Sequence, residues 1–159
     1  MQDNRRLRRV IVIGLGSTLL KDDGVGIHTV RKLREDISFP TDVDVEIIDG
    51  GTAPDISVFL EGGIDKLIII DAVQAHGKPG VIYRLTPDVF ESEGQDIHSP
   101  HNFNLRESLA LTRLGGVFPL EVVIIGVEPG SMEWGTTLTP EVLSSFPELM
   151  SIIRREISF

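Results

Sequence analysis

The stretch Val10-Ile11-Val12-Ile13-Gly14-Leu15-Gly16-Ser17-Thr18-Leu19-Leu20-Lys21-Asp22-Asp23-Gly24-Val25-Gly26 joins an apolar β-branched run to a glycine-bracketed acidic pair and then to a helical pattern. Val10 to Ile13 show no polar alternation, as expected of a strand buried on both faces of a parallel sheet. Gly14 and Gly16 end that strand. From Gly24 onward Val25, Ile27, Val30, Leu33 and Ile37 recur at a helical period, and Asp22 or Asp23 is expected to cap the first turn and favour its dipole. Strand, loop and helix in this order open an α/β fold.

Reading outward, residues 43–48 form a second strand. Thr52 is placed to cap a helix that has Pro54 in its first turn and runs to about Leu60. Residues 66–71 are a third strand, as apolar as the first. The short connection 72–79 has no crossover helix, so the next strand, 81–85, is expected to run antiparallel to its predecessor at an edge. Residues 87–100 read as polar loop. Asn104 to Glu107 resembles a capping box opening a helix that Gly115 and Gly116 end. Residues 120–126 are the last strand. Thr139 and Pro140 start a final helix that Pro147 is expected to kink or split and that reaches about Ile157. The sum is a single domain, residues 1–159, with a doubly wound α/β sandwich of about five strands and a mixed sheet. Ligands of such sheets bind beyond the strand C-termini, which directs attention to residues 14–23, 49–52, 71–77 and 126–134.

Composition narrows the chemistry. With 159 residues the chain has the length of one domain. Fifteen Lys plus Arg against 24 Asp plus Glu give 15 − 24 = −9, so no long-range field draws in nucleic acid or anionic lipid. The absence of cysteine excludes thiol proteases, thiolate zinc sites, iron–sulfur clusters and disulfides as chemistry of this chain. Arg5, Arg6, Arg8 and Arg9 ahead of the apolar run imitate a secretory leader. The run, however, contains Gly14, Gly16 and Ser17, ends in Lys21-Asp22-Asp23 and lacks a small-residue cleavage site. The expected compartment is the cytoplasm.

Several candidate sites compete. The Gly14-Leu15-Gly16 loop lacks the third glycine of a dinucleotide fingerprint, having Leu19 there, and its two aspartates would repel phosphate. Asp23, Asp71 and His101 come from three loops and together offer oxygen and nitrogen donors suited to a divalent transition ion with open positions. The plain alternative is that Asp23 caps a helix, Asp71 ends a strand and His101 is an ordinary loop histidine. His28 reads as a surface residue of the first helix, whereas His76 and His98 lie in loops that could lean over the same sheet end and add a ligand or a proton carrier. Ser17, Ser99 and Ser131 have no nucleophile-elbow context. Asp22 and Asp23 point roughly 100° apart on a helix start and cannot share a proton as an aspartic dyad does; one ligand and one cap is the better reading.

Gly14 to Gly26 with its Asp22-Asp23 pair, Asp71-Ala72, Ser99-Pro100-His101-Asn102, Gly126-Val127-Glu128-Pro129 and Trp134-Gly135 together resemble the hydrogenase maturation endopeptidase family, in order and over almost the whole chain. The resemblance implies an α/β/α three-layer sandwich around a mixed, mostly parallel five-stranded sheet. It also implies a metal-dependent endopeptidase, aspartic-type by family classification. Its substrate would be the large-subunit precursor of a nickel-iron hydrogenase, which loses a short C-terminal extension after nickel insertion. By position, Asp23, Asp71 and His101 would be the metal-contacting and catalytic residues, with nickel supplied by the substrate rather than permanently bound. Pro100 departs from relatives, which often have a small polar residue there. Two other classes stay open: a Rossmann-like enzyme binding a nucleotide or small anion, and a non-catalytic nickel-dependent maturation chaperone.

Overall fold

In the computed structural model, which describes residues 6–36, 38–52, 55–91, 97–99 and 102–158, the apolar run is the middle of strand β1 (Arg8–Leu15). Successive side chains of a strand leave on opposite faces, so Val10 and Val12 enter one core while Ile11, Ile13 and Leu15 enter another. β3 (Lys66–Ala72) and β5 (Glu121–Val127) repeat the pattern, with Ile68, Ile70, Val123 and Ile125 on the first face and Leu67, Ile69, Val122 and Ile124 on the second. A sheet buried on both faces needs cover on both. Helices α1 (Val25–Glu35) and α4 (Pro140–Ser158) supply it on the first face through Val30, Leu33, Leu149 and Ile153. A 3-10 turn (Ile56–Phe59) and α3 (Asn102–Leu114) supply it on the second through Ile56 and Leu109. This is the expected three-layer α/β/α sandwich.

The sheet order is β2 (Val43–Gly51), β1, β3, β5, β4 (Ile82–Leu85); β4 alone runs antiparallel, to β5. From β1 the chain leaves over α1 to β2 on one side, then returns by the 56–59 turn on the other face to β3. Strand order therefore reverses between β1 and β3, and their C-terminal ends part to leave the crevice where open α/β sheets bind ligands. Residues 22–23 and 71 lie at that crevice.

Several local expectations are corrected. β4 is an antiparallel edge strand as expected, but its neighbour is β5, inserted between it and β3. No α-helix follows β2 in the described residues. The segment is the 56–59 turn, capped by Asp55, which accepts from the Ser57 amide at 2.9 Å, and not by Thr52; the expected Pro54 lies outside the described residues. The polar segment 87–100 includes a short helix α2 (Asp88–Glu91) and a bridge between Gln74 and His98. α3 starts at Asn102, ahead of the expected Asn104, and ends at Leu114, directly before the expected Gly115 and Gly116, the latter at a φ of 70° that suits glycine. α4 is not split at Pro147 but runs through it as one helix, Pro140–Ser158.

Two glycines set the depth at which α1 meets the sheet. A Cβ on Gly14 would lie 2.2 Å from the Gly26 carbonyl oxygen, and one on Gly26 would lie 2.3 Å from that of Ile70. Their role is close packing of helix on strands, not room for a phosphate. At the opposite sheet end Arg6 pairs with Asp65 at 3.2 Å and Arg8 donates to the Ile157 carbonyl, so these arginines are parts of the fold. Among the described residues no helix is long and apolar enough to cross a membrane.

Candidate active site

The two acids of the Asp22-Asp23 pair turn to different partners. Asp22 is 0% exposed, and its carboxylate accepts from the amides of Gly130 (2.8 Å), Ser131 (3.1 Å) and Thr139 (2.8 Å) and from the Thr139 hydroxyl (2.6 Å). It clasps the loop after β5 and the start of α4 to the loop after β1. The expected cap is therefore corrected. Gly24 occupies the N-cap of α1 with no side-chain hydrogen bond, and neither aspartate caps the helix. Asp23 is 3% exposed and accepts from the Ser17 amide at 2.9 Å. Because its partners differ from those of Asp22, the two do not form a proton-sharing dyad.

Asp71, 1% exposed at the end of β3, accepts from the Ala72 amide at 2.9 Å and from the Ser99 hydroxyl. Ser99 reaches it because Gln74 and His98 exchange backbone hydrogen bonds of 2.6 and 2.8 Å, which tie the segment before His101 to the loop after β3. The turn carrying Asp23 contacts β3, so the two acids share the crevice between β1 and β3. His101 lies outside the described residues. Among the described residues no three of His, Asp and Glu gather into a metal-holding group; the set read from sequence needs His101 as its third member. The two described donors are carboxylates, which suit a hard divalent ion, and it is an added imidazole that would turn the set towards a transition ion.

The other sequence candidates separate. His98 is held by its backbone beside Asp71, and His76 sits in the same loop cluster at a φ of 59°, rare for a non-glycine residue. His28 is not a plain surface residue. Its Nε2 is buried without a hydrogen-bond partner, and burial followed by the Arg31 charge holds its pKa below the usual histidine value. Ser17 and Ser131 anchor turns through their amides. Ser99 bonds directly to a carboxylate, unlike the hydroxyl of a serine triad, which bonds an imidazole.

One residue had no role in the sequence reading. Glu128, 6% exposed just beyond β5, accepts from the Ala75 amide at 2.8 Å and the Tyr83 hydroxyl at 2.9 Å, fixing the loop that follows Asp71. Burial, then the bond and charge of Glu128, push the Tyr83 phenol above its ordinary value. The signal was a carboxylate directly after the apolar run Val122 to Val127.

The family model for hydrogenase maturation proteases matches residues 27–156. The chain belongs to that family. The hydrogenase 2 maturation protease of Escherichia coli is 35% identical over 135 residues, covering 84% of this chain and 81% of that one. The hydrogenase expression/formation protein HupD of Bradyrhizobium diazoefficiens is 33% identical over 143 residues, covering 89% and 71%. Among solved structures, the hydrogenase maturating endopeptidase HybD from E. coli superposes with a TM-score of 0.77 at 30% identity over 91% of this chain and 89% of that one. The [NiFe] hydrogenase maturation protease HybD from Thermococcus kodakarensis has a TM-score of 0.77 at 26% identity, covering 94% and 99%. Membership makes this chain a hydrolase of the endopeptidase class. In this protease the Ser17 amide is committed to Asp23, so the loop after β1 lacks a donor that a pyrophosphate would use.

Proposed function

We propose that this protease, acting in the cytoplasm as a single domain, removes the C-terminal extension of a nickel-iron hydrogenase large-subunit precursor once nickel is in place. Asp23, Asp71 and His101 engage the nickel that the substrate holds, so the ion belongs to the substrate and reports that it is correctly filled. What supports this reading is that two buried acids sit beside the strand-order reversal, Asp23 on a turn that contacts β3 and Asp71 at the end of β3, with Ser99 bonded to Asp71 two residues before His101. Buried carboxylates are costly unless hydrogen bonds or a cation compensate them.

Cleavage needs water to form a bond to the scissile carbonyl carbon while the carbon–nitrogen bond breaks and the amine leaves with a proton. A carboxylate of the pair takes the proton of the water and passes it to the amine, which is the sense in which the enzyme is aspartic-type. The substrate's nickel supplies positive charge near the developing oxyanion. No nucleic acid or membrane is required.

The test is to incubate the protease with its precursor, with and without nickel, and weigh the precursor. Loss of the extension only with nickel is expected, and Asp23→Asn, Asp71→Asn and His101→Ala should each stop it while still unfolding cooperatively. Normal processing by all three variants refutes the assignment. Complex formation with unchanged precursor mass would instead identify a maturation chaperone.

A further inference from the structure

An endopeptidase must hold polypeptide beside the bond it cuts, and the rim next to Asp23 carries an uncovered apolar pair. Trp134 is the chain's single tryptophan, and it is 80% exposed, with Leu19 55% exposed. Large apolar groups left open together on a folded protein mark interaction surfaces. The two adjoin, since the Gly135 amide donates to the Leu19 carbonyl and the Lys21 amide donates to the Gly135 carbonyl, both at 2.9 Å.

The ring stands on a clamped base. Asp22 grips Gly130 and Ser131 upstream, and the Lys21 stem lies over Gly135, where a Cβ would meet Lys21 Cγ and Cε at 2.9 Å. Lys21 itself is held at a φ of 42°, a conformation that persists only where surrounding contacts impose it. Leu19 also lines a groove of about 250 Å³ with Gly16, Ser17, Thr18 and Gly51, and Ser17 is the residue whose amide holds Asp23. Leu19 thus joins the apolar pair to the groove, and Ser17 joins the groove to Asp23. Charges at this rim are matched, with Lys21 facing Glu133 at 3.9 Å and Arg31 facing Asp49 at 3.5 Å, which favours an uncharged occupant.

We propose that Trp134 and Leu19 dock an apolar side chain of the precursor near its scissile bond, the extended segment continuing into the groove beside Ser17. This rests on the proposed cleavage of a precursor protein. Replacing tryptophan by 5-fluorotryptophan labels this protease at Trp134 alone, so one fluorine resonance reports the rim. In the Asp23→Asn variant, nickel-loaded precursor should shift that resonance. Trp134→Ala and Leu19→Ser should each raise KM about tenfold with kcat within about twofold, and Trp134→Phe should recover most of the loss. An unmoved resonance at saturating precursor, or unchanged KM in both variants, overturns the docking. A shift produced by raising the protease concentration alone assigns the face to a second copy and overturns it too. If the wild type leaves the precursor mass unchanged while the resonance still shifts, the cleavage reading falls and the dock stands.

Discussion

Removing the Asp22 carboxylate tests whether the acidic pair divides into a structural and a functional member. Asp22→Ala strips three part-buried amides and one hydroxyl of the shared acceptor that the buried Asp22 carboxylate provides. A hydrogen bond to a charged group contributes about 1.5–3 kcal/mol, and each buried donor left unmatched costs about 1–3 kcal/mol. These do not add, because water can enter beside Gly130 and Ser131 once the side chain is gone. The expected loss is about 4 kcal/mol, a large part of the ~5–15 kcal/mol that holds a domain folded. At ~2–4 °C per kcal/mol for a chain of this size, Tm should fall by about 8–16 °C. Asp22→Asn keeps one oxygen. Its best rotamer still serves Gly130, Ser131 and the Thr139 hydroxyl but turns an NH2 group on the Thr139 amide, so about 2 kcal/mol is expected. Asp23→Asn can keep its oxygen on the Ser17 amide and should lose under about 1 kcal/mol while losing activity. Urea and thermal unfolding followed by circular dichroism measure all three. A loss below about 0.5 kcal/mol in Asp22→Ala refutes the clasp, and a stability loss in Asp23→Asn larger than in Asp22→Asn shows that the roles were assigned to the wrong acids.

Gly26→Ala should prevent soluble folding or cost more than about 3 kcal/mol, because its Cβ would sit 2.3 and 2.5 Å from the Ile70 and Leu15 carbonyl oxygens, which are backbone atoms unable to move aside; yield and urea midpoint report it. Burial works to raise the Glu156 carboxyl, but bonds and charges from Arg84 and Lys66 outweigh it and hold the group below its ordinary value of 4.5. Its stabilisation is therefore present above that value and lost as pH falls through the lower, folded one. Glu156→Gln should flatten the acid limb of a stability–pH curve and lower stability near neutrality by about 2–3 kcal/mol, since Lys66 is almost wholly buried. The purified protease should retain little stoichiometric nickel after dialysis, measured by elemental analysis, because oxygen and imidazole donors without thiolate hold the ion loosely; nickel retained one-to-one contradicts a substrate-borne ion.

The alternating order of strands and helices was legible because each buried strand is a run of β-branched residues and each covering helix carries a 3.6-residue apolar period. The segment after β2 was misread since Thr52 and Pro54 make a helix-start signal that Asp55 and Ser57 satisfy in a single 3-10 turn. The capping role given to Asp22 or Asp23 was a local rule; Asp22 is drawn instead to Thr139, over a hundred residues away in the chain, and Asp23 to the Ser17 amide. Asp71 was legible as the polar residue closing an apolar strand. Glu128 was not, because its partners Ala75 and Tyr83 come from a loop and an edge strand whose nearness only folding creates.

Taken alone, the order of residues determined the layer architecture, the family and the identity of the acids offered to a ligand, since periodicity and motif are local properties of a chain. Tertiary structure decided which acid of the pair is committed to the fold, which strand lies between β3 and the edge, and that Trp134 stands uncovered beside Leu19. Those depend on distances between segments far apart in sequence, and hydrogen bonding and burial are set by such distances.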